Sequence, residues 1–222
     1  RVIFQLPTIF RLIMKNIAVI DIDGGNIYSL KRAFSILGYE CTFTSDPRII
    51  MNAEKIFLPG VGAYKIGMKN LKEKNLLPVI NDFIKTGKSL MGICLGMQLL
   101  MDYSDEFGQQ EGMGLVSGSV KLITVPQNFK VPHMGWSSLE VPNNQKNWEE
   151  KILNDIHPGK ECYFVHSYMV KTKIASETIA ETKYGNARFC SVLRSNNIYG
   201  CQFHPEKSGK TGLKIIKNFI ES

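Results

Sequence analysis

Short apolar runs alternate with amphipathic segments along the first half of the chain, and this alternation restricts the possible folds more than any other feature. The run NIAVIDI, residues 16–22, has the length and composition of a buried strand. The next segment places Ile27, Leu30 and Phe34 on one side of a helix, and Gly38 is a typical stop signal. Strands and helices in this order predict an α/β fold with a parallel sheet covered on both faces.

The same pattern continues and then changes in the second half of the chain. Further strands are predicted in ECTFTSD, KIFLPGVG and SLMGI, and residues 64–86 indicate one or two helices with Pro78 near a boundary. After about residue 118, successive strands and hairpins are predicted in GSVKLITV, GWSSLEV, CYFVHSYMV, TIAETKY, ARFCSVLRS and NIYGCQF, followed by the helix GLKIIKNFIES. We expect a single domain with a mainly parallel central sheet flanked by helices and additional antiparallel strands in its C-terminal half.

The N-terminal segment, residues 1–13, is apolar and carries arginines at both ends of the run RVIFQLPTIFR. It lacks a following small-residue cleavage site, so it does not have the pattern of a signal peptide. No run reaches the roughly 18 apolar residues that a membrane-spanning helix requires. We expect Met14 to be the natural start, residues 1–13 to form an extension or tail, and residues 14–222 to form the domain.

The composition is that of a globular protein with a substantial core, at 222 residues, 44% hydrophobic and 21% charged. The net charge of +7 comes from scattered lysines and arginines without a dense basic tract, which argues against nucleic acid as the partner. The five cysteines form no CxxC pair, so reduced thiols in the cytoplasm are expected. No clustered ligand set suggests a metal, and none is expected.

The segment Gly92-Ile93-Cys94-Leu95-Gly96 has the form of a nucleophile elbow with cysteine as the nucleophile. A tight strand-to-helix turn crowds the backbone on both sides of Cys94, so the residues two positions away should lack a Cβ. The partial positive charge at the start of a helix favours a thiolate there. The same pentapeptide is also compatible with a buried cysteine on a glycine-rich turn.

Two further segments supply groups that such a nucleophile requires. His204 follows a short apolar strand, and Glu206 comes two residues later, so the carboxylate can orient the imidazole that acts on the thiol. The glycines of Leu58-Pro59-Gly60-Val61-Gly62 allow backbone N–H groups to point into a site, as an oxyanion hole requires. A histidine at a strand end, or a glycine bend, occurs equally in ordinary loops when each is considered alone.

Together these segments resemble the class I, or triad, glutamine amidotransferases. The stretches LPGVGAYKIGM, GICLGMQLLM, GMGLVSGSV, VPHMGWSSL, YFVHSY and GCQFHPEKS resemble those of the glutaminase subunits of imidazole glycerol phosphate synthase. The similarity covers residues 14–222. The PGVG, PHMGW and HPEKS forms favour this group over the relatives that form GMP, CTP or anthranilate.

The resemblance implies a catalytic triad of Cys94 as nucleophile, His204 as general base and then acid, and Glu206 as its orienting group. It implies oxyanion contacts from Gly60, Val61, Gly62 and Leu95. It places Gln98 and Glu106 on the substrate glutamine, where a carboxylate suits the α-ammonium. It places five residues toward a partner subunit: Asn26, His133, Trp136, Tyr168 and Lys207.

The reaction implied by the resemblance releases ammonia from glutamine through a γ-glutamyl thioester, with no cofactor. The ammonia then passes to a cyclase subunit with a (β/α)₈ barrel, which forms imidazole glycerol phosphate and an aminoimidazole carboxamide ribotide (AICAR) in histidine biosynthesis. The expected assembly is a heterodimer, without nucleic acid or membrane.

One loop departs from the family pattern Asp-Tyr-Gly-x-Gly-Asn. Ile22 and Asp23 replace the tyrosine and the first glycine, while Gly25 and Asn26 are kept. Because this loop faces the partner in the family, an alternative is a paralogous subunit that supplies ammonia for surface-polysaccharide or nonulosonate sugar modification. A cysteine hydrolase on a related sheet and a non-catalytic regulatory subunit are further alternatives, although the intact Cys94, His204 and Glu206 argue against the latter.

Overall fold

The computed structural model describes residues 15–143, 145–148 and 150–222. The strands are β1 Ile17–Ile20, β2 Cys41–Thr44, β3 Lys55–Gly60, β4 Ser89–Cys94, β5 Tyr103–Ser104, β6 Gln110–Glu111, β7 Gly118–Leu122, β8 His133–Ser138, β9 Glu161–His166, β10 Tyr168–Thr172, β11 Thr178–Tyr184, β12 Ala187–Ser195 and β13 Ile198–Cys201. The α-helices are α1 Ile27–Leu37, α2 Pro47–Asn52, α3 Tyr64–Glu73, α4 Leu76–Lys85, α5 Leu95–Leu99 and α6 Gly209–Glu221. The predicted tail over residues 1–13 and the predicted start at Met14 lie outside the described residues.

Within the described residues, the central sheet has seven strands in the order β11-β12-β13-β4-β3-β1-β2. The five strands from β13 to β2 are parallel, and β12 and β11 continue the sheet in antiparallel fashion. This arrangement confirms the predicted α/β fold with a parallel core and late antiparallel strands. It also brings the carboxyl ends of β3, β4 and β13 together at one edge.

Side chains alternate between two faces of this sheet, and helices cover both faces. On one face, Phe57 packs edge-on against Phe34 of α1 and Phe219 of α6. On the other face, buried side chains such as Ile80 of α4 and Leu99 of α5 belong to a second core. The inner strands β1, β3 and β4 are therefore buried on both sides, which explains their continuous apolar runs, whereas the edge strand β2 is partly exposed.

The later strands do not all join the central sheet, contrary to the simplest interpretation of the sequence. Strands β10, β7, β5 and β6 form a second sheet, and β8 pairs with β9 in a two-stranded sheet. The predicted strand CYFVHSYMV is divided at Ser167 into β9 and β10, which belong to different sheets. Hydrophobic alternation indicates that a segment is extended, but it does not select its partner strand.

The helix boundaries follow local signals that the sequence contains. The short helix α2 was not predicted, although Asp46 caps it by accepting from the Arg48 N–H at 2.8 Å and Pro47 occupies its first turn. Residues 64–86 form two helices that are separated before Leu76, so Pro78 lies in the first turn of α4 rather than at the break. Proline is tolerated there because first-turn N–H groups have no intrahelical acceptor.

None of the helices in the described part of the chain combines the length and apolar composition needed to cross a membrane.

Candidate active site

Cys94 is the last residue of β4 and directly precedes α5. Its backbone has φ 53° and ψ −109°, a conformation that L-residues rarely adopt. Such strain persists only where the surrounding structure enforces it, and it clusters at functional sites. The turn is therefore a strained strand-to-helix elbow, the geometry that the pentapeptide predicts.

Close approach of the backbone explains the two glycines that flank the elbow. A Cβ on Gly92 would lie 2.7 Å from the backbone nitrogen of Met97, and one on Gly96 would lie 1.7 Å from the carbonyl oxygen of Leu58. Neither backbone atom can move without disrupting the sheet or the helix. Positions 92 and 96 thus require residues without a Cβ, as the pentapeptide predicts.

Strand register brings His204 close to Cys94 from far along the sequence. β13 runs parallel to β4 with Cys201 beside Ile93, so the chain after β13 passes beside Cys94. The backbone of His204 is fixed there, because its N–H donates to the Tyr163 carbonyl at 2.9 Å and its own carbonyl accepts from the Ser208 hydroxyl at 2.7 Å. The imidazole is buried, with 2% of the residue exposed.

Glu206 holds the ring of His204 from the opposite side. Its Oε1 lies 2.8 Å from Nδ1 of His204, and both side chains are almost fully buried. A carboxylate only accepts hydrogen bonds, so Nδ1 carries the proton. Nε2 of His204 and Oε2 of Glu206 have no hydrogen-bond partner among the described residues. The second ring nitrogen is therefore free of hydrogen bonds within this part of the chain, and Cys94 is a neighbouring side chain.

The electrostatic surroundings of His204 favour the protonated ring. Burial lowers the pKa of His204, but the neighbouring Cys94 and Glu206 side chains raise it by more, so the pKa lies above the ordinary value of 6.5. The Cys94 sulfur itself lies 3.9 Å from the carbonyl oxygen of Val165. The arrangement can hold an imidazolium and can transfer its proton to a leaving group.

A cavity of about 460 Å³ opens above the elbow. Cys94 and His204 contribute to its lining, so the predicted nucleophile and the predicted base face the same space. Three of the four residues predicted to surround an oxyanion, Val61, Gly62 and Leu95, also line it. The fourth, Gly60, ends β3 directly beside Cys94 in the sheet register.

The loop after β3 is exposed and has an unusual backbone. Val61 is 46% exposed, and Gly62 has φ 101°, a conformation accessible mainly to glycine. Glycine at position 62 therefore permits a loop backbone that most other residues would strain.

Gln98 and Glu106, the predicted glutamine contacts, both line the cavity. The Gln98 side-chain nitrogen donates to the Tyr168 carbonyl at 2.9 Å and to Oε1 of Gln202 at 3.1 Å. Glu106 accepts from the backbone N–H of Tyr64 at the start of α3 through one oxygen. The cavity wall thus offers an amide, one helical turn beyond Cys94, and a carboxylate.

The residues predicted to face a partner occupy different environments. Trp136 is 53% exposed and Lys207 is exposed, whereas Tyr168 lines the cavity. Asn26 caps α1 by accepting from the Ser29 N–H at 3.4 Å. It also borders a small void next to Glu206.

His133 differs from the expectation of a partner-facing side chain, because only 1% of the residue is exposed. Its ring is stacked between Tyr184 and Phe164, with centroid distances of 4.0 Å and 5.0 Å. The same strand, β8, instead exposes Met134 and Trp136, at 63% and 53%. Because side chains alternate along a strand, His133 lies on the buried face of β8. The sequence pattern did not specify which face of this strand is buried.

A buried pair of histidines borders the cavity. Nδ1 of His166 lies 2.8 Å from the Tyr168 carbonyl oxygen, and Nε2 of His166 lies 3.2 Å from Nδ1 of His133. Nε2 of His133 in turn lies 2.9 Å from the Ser137 hydroxyl. Burial lowers the pKa of His133 to about 4 and that of His166 to about 3, so both rings are neutral at pH 7.

Sequence reasoning missed Gln202 and the role of His166. Gln202 is fully buried, with its Nε2 3.9 Å from the Cys94 sulfur. A polar residue inside the apolar run IYGCQF was a usable signal, because a buried amide requires partners. His166 carried no comparable signal, since neither its ring orientation nor its partner His133 can be inferred from spacing.

Three of the other cysteines do not line the cavity. Cys162, Cys190 and Cys201 are buried, and burial raises the pKa of both Cys162 and Cys190 to about 12. These thiols stay protonated and unreactive at neutral pH. In the described ranges, no group of three or more histidine, cysteine, aspartate or glutamate side chains is arranged to hold a metal ion.

A family model and individual known proteins that resemble this chain agree on its family. The family model described as "Glutamine amidotransferase class-I" matches residues 18–222. The imidazole glycerol phosphate synthase subunit HisH 1 of Legionella pneumophila (strain Lens) is 40% identical over 214 residues, which cover 94% of this chain and 100% of the relative. The HisH subunit of Lacticaseibacillus casei (strain BL23) is 44% identical over 205 residues, 92% of this chain and 95% of the relative.

Solved structures show the same fold at lower sequence identity. A glutamine amidotransferase crystal structure has a TM-score of 0.70 and 17% identity, covering 92% of this chain and 97% of that chain. The PurLQS structure from Thermotoga maritima has a TM-score of 0.70 and 22% identity, covering 94% and 99%.

Proposed function

This chain belongs to the class I glutamine amidotransferase family and, within it, to the subunits named HisH, and we propose that it releases ammonia from glutamine through Cys94. The catalytic and binding roles are assigned from one observation: Cys94, His204 and Gln98 line the same cavity. The enzyme is therefore a glutaminase in which a thiol, an imidazole and a carboxylate act together.

In the first half-reaction, His204 takes the proton of the Cys94 thiol, and the Cys94 sulfur attacks the side-chain carboxamide carbon of glutamine. Electrons of the carbonyl double bond move to its oxygen, and return of this pair expels the nitrogen, which takes a proton from His204 and leaves as ammonia. The product is a γ-glutamyl thioester on Cys94. The raised pKa of His204 suits this role, because the ring is protonated when the leaving group departs.

In the second half-reaction, water hydrolyses the thioester. Nε2 of His204 removes a proton from the water, whose oxygen attacks the thioester carbon while the sulfur leaves. Glu206 stabilises the imidazolium that forms and fixes the tautomer through its 2.8 Å contact with Nδ1. Glutamine and water are thereby converted to glutamate and ammonia, and the free cysteine is regenerated.

Backbone N–H groups of Leu95 and of the Gly60–Gly62 segment would stabilise the negative oxygen in both half-reactions. Leu95 begins α5 directly after the nucleophile, so its N–H faces the elbow side of the cavity. The positive φ of Gly62 and the exposure of Val61 allow the second donor to turn toward or away from the site. Since one such donor contributes about 10²–10³-fold to the rate, this loop can control turnover.

Glu106 and Gln98 would hold the amino-acid end of the substrate. One carboxylate oxygen of Glu106 is bonded to the Tyr64 N–H, which fixes the side chain at the cavity wall. A glutamine bound with its α-ammonium near this carboxylate would place its carboxamide deeper in the cavity, toward Cys94. This arrangement favours glutamine over the peptide or aldehyde substrates of a general cysteine hydrolase.

We propose that the ammonia is used by a cyclase subunit with a (β/α)₈ barrel. The relatives at 40–44% identity carry the name of imidazole glycerol phosphate synthase subunits, and the proposed products are imidazole glycerol phosphate and AICAR in histidine biosynthesis. Sugar modification, the alternative, is not favoured by these relatives. Exposed apolar side chains at the cavity rim, Val61, Phe107, Leu122 and Val131, suit a docking face.

The reaction is expected in the cytoplasm, where the nucleophile stays reduced. All five cysteines of the sequence are free thiols in the structure. Covalent catalysis requires Cys94 in this state.

Glutamate release from glutamine tests the assignment. The purified chain alone should turn over slowly, and addition of the cyclase subunit with its acceptor substrate should raise the rate by about 10²-fold, the effect of one oxyanion donor. Cys94→Ala should abolish release in both conditions. The matched variant Cys41→Ala, on the outer strand β2, should retain it. Release that persists in Cys94→Ala would refute the role of this cysteine, and equal rates with and without the cyclase would refute partner control.

A further inference from the structure

We propose that Gln202 is a positioning residue that orients both the Gln98 amide and the Cys94 sulfur, a role that presupposes the proposed glutaminase activity. Gln202 does not line the substrate cavity. It acts instead through two residues that do, and it connects the nucleophile with the glutamine-holding side chain.

The strand register places Gln202 beside the nucleophile. Cys201 lies opposite Ile93 in the parallel pair of β13 and β4, so the next residue along each strand is Gln202 and Cys94. The Gln202 N–H donates to the Ser191 carbonyl at 2.9 Å, which fixes its backbone, and the residue is 0% exposed. Its side chain therefore has only protein groups for hydrogen bonding.

The hydrogen-bond partners dictate which way the Gln98 amide points. A backbone carbonyl only accepts, so the Gln98 group 2.9 Å from the Tyr168 carbonyl must be its nitrogen. That carbonyl is itself held in place by Nδ1 of His166 at 2.8 Å. The Gln98 nitrogen is thus fixed between two acceptors, with its second hydrogen directed at Gln202.

The orientation of Gln202 follows from that of Gln98. The group of Gln202 at 3.1 Å from the Gln98 nitrogen must accept, so it is Oε1. Nε2 of Gln202 is then the group that lies 3.9 Å from the Cys94 sulfur. An N–H donor directed at the sulfur fixes the orientation of the Cys94 side chain, and a hydrogen bond to sulfur that carries charge during the reaction is stronger than one to neutral sulfur.

Two consequences follow for the reaction. With both hydrogens of its nitrogen engaged, Gln98 presents its acceptor oxygen to substrate N–H groups in the cavity that it lines. The Cys94 sulfur gains a fixed donor at the back of the elbow. Loss of the Gln202 amide should therefore weaken glutamine binding and slow the nucleophile, through separate contacts.

Two measurements on Gln202→Met separate these contacts, because methionine keeps the side-chain volume and removes both hydrogen bonds. Alkylation of Cys94 by iodoacetamide at pH 7 reports on the sulfur without requiring the glutamine site, and we expect it to slow about tenfold, as for loss of one charge-assisted hydrogen bond. Calorimetric titration of glutamine into Cys94→Ala and into the double variant with Gln202→Met reports on Gln98. We expect the dissociation constant to rise several-fold.

Gln145→Met is the matched control, because the Gln145 nitrogen donates to the Thr178 carbonyl at 3.1 Å and the residue does not line the cavity. Both readouts should keep wild-type values in this control. If Gln202→Met does not fold, Gln202→Asn retains a buried amide with a shorter reach and should show the same two losses. Wild-type values for both readouts in a folded Gln202 variant, or equal losses in Gln145→Met, would overturn the proposal.

The outcomes distinguish this role from the glutaminase assignment. Glutamine should protect Cys94 of the wild-type protein from iodoacetamide, and absence of protection would contradict the proposed function itself. Protection in the wild type, together with unchanged readouts in the Gln202 variant, would contradict only the positioning role.

Discussion

The two buried histidines make the folded protein sensitive to acid. The pKa of His133 is lowered to about 4 and that of His166 to about 3, in each case mainly by burial, whereas a histidine in the unfolded chain has a pKa of about 6.5. Between pH 6.5 and these lower values, the unfolded chain binds two protons that the folded chain does not bind. Stability therefore rises with pH in this window and is lost as the pH falls.

A change from pH 7 to pH 5 lowers the free energy of unfolding by an amount that follows from these pKa values. At pH 5 an unfolded histidine is almost fully protonated, while His133 and His166 remain mostly neutral in the fold. Each ring then destabilises the folded state by about 2 kcal/mol, and the pair by about 4 kcal/mol, relative to pH 7. His204 opposes this change only slightly, because its raised pKa leaves it protonated in both states below pH 6.5, and only the step from pH 7 to pH 6.5 regains part of its stabilising contribution.

Urea unfolding at a series of pH values between 7 and 5 measures this dependence. His133→Gln removes one of the two titrating rings, so we expect the loss of unfolding free energy between pH 7 and pH 5 to be smaller than in the wild type by about 2 kcal/mol. His157→Gln is the matched control, because His157 is exposed. It should retain the wild-type pH dependence.

The quantity compared between the proteins is the change in unfolding free energy with pH, not the unfolding free energy at one pH. His133→Gln also loses stacking between Tyr184 and Phe164, which lowers stability by a similar amount at every pH. A pH dependence of His133→Gln parallel to that of the wild type would refute the assignment of neutral, buried rings.

Three further substitutions test other parts of the account. Gly96→Ala should destabilise the fold by about 3 kcal/mol in urea unfolding, because its Cβ would meet a carbonyl oxygen at 1.7 Å; Gly25→Ala, whose Cβ would meet only a proline ring at 3.6 Å, is the control, and equal stabilities would contradict the reasoning. Glu206→Gln should lower kcat for glutamine by about 100-fold, because an amide does not stabilise the His204 imidazolium, and a wild-type kcat would exclude this role. Tyr64→Phe should raise the melting temperature, since the buried Tyr64 hydroxyl has no hydrogen-bond partner among the described residues, and a clear decrease would show that the hydroxyl is satisfied.

The sequence was sufficient to predict the parallel core, because a strand buried on both faces has a continuous apolar run. The sequence was also sufficient to predict the elbow at Cys94. Gly92 and Gly96 lie two positions on either side of it, where the backbone leaves no room for a Cβ. The end of α1 at Gly38, with φ 78°, follows from the same kind of local rule.

Features that depend on long-range pairing were not predictable in the same way. The division of CYFVHSYMV between two sheets at Ser167 is decided by partner strands far away in the chain. His133 lies on the inward-facing side of β8, and it meets His166 only because of the register of β8 with β9. Gln202 lies beside Cys94 because of the register of β13 with β4, which local spacing does not specify.

Covalent labelling with a glutamine-derived electrophile, 6-diazo-5-oxo-L-norleucine, tests the central claim most directly. Peptide mass spectrometry of the protein in complex with the proposed cyclase subunit should locate the label on Cys94 alone among the five cysteines, and excess glutamine should prevent the labelling. Label on a different cysteine, or undiminished labelling of Cys94→Ala, would contradict the identification of the nucleophile.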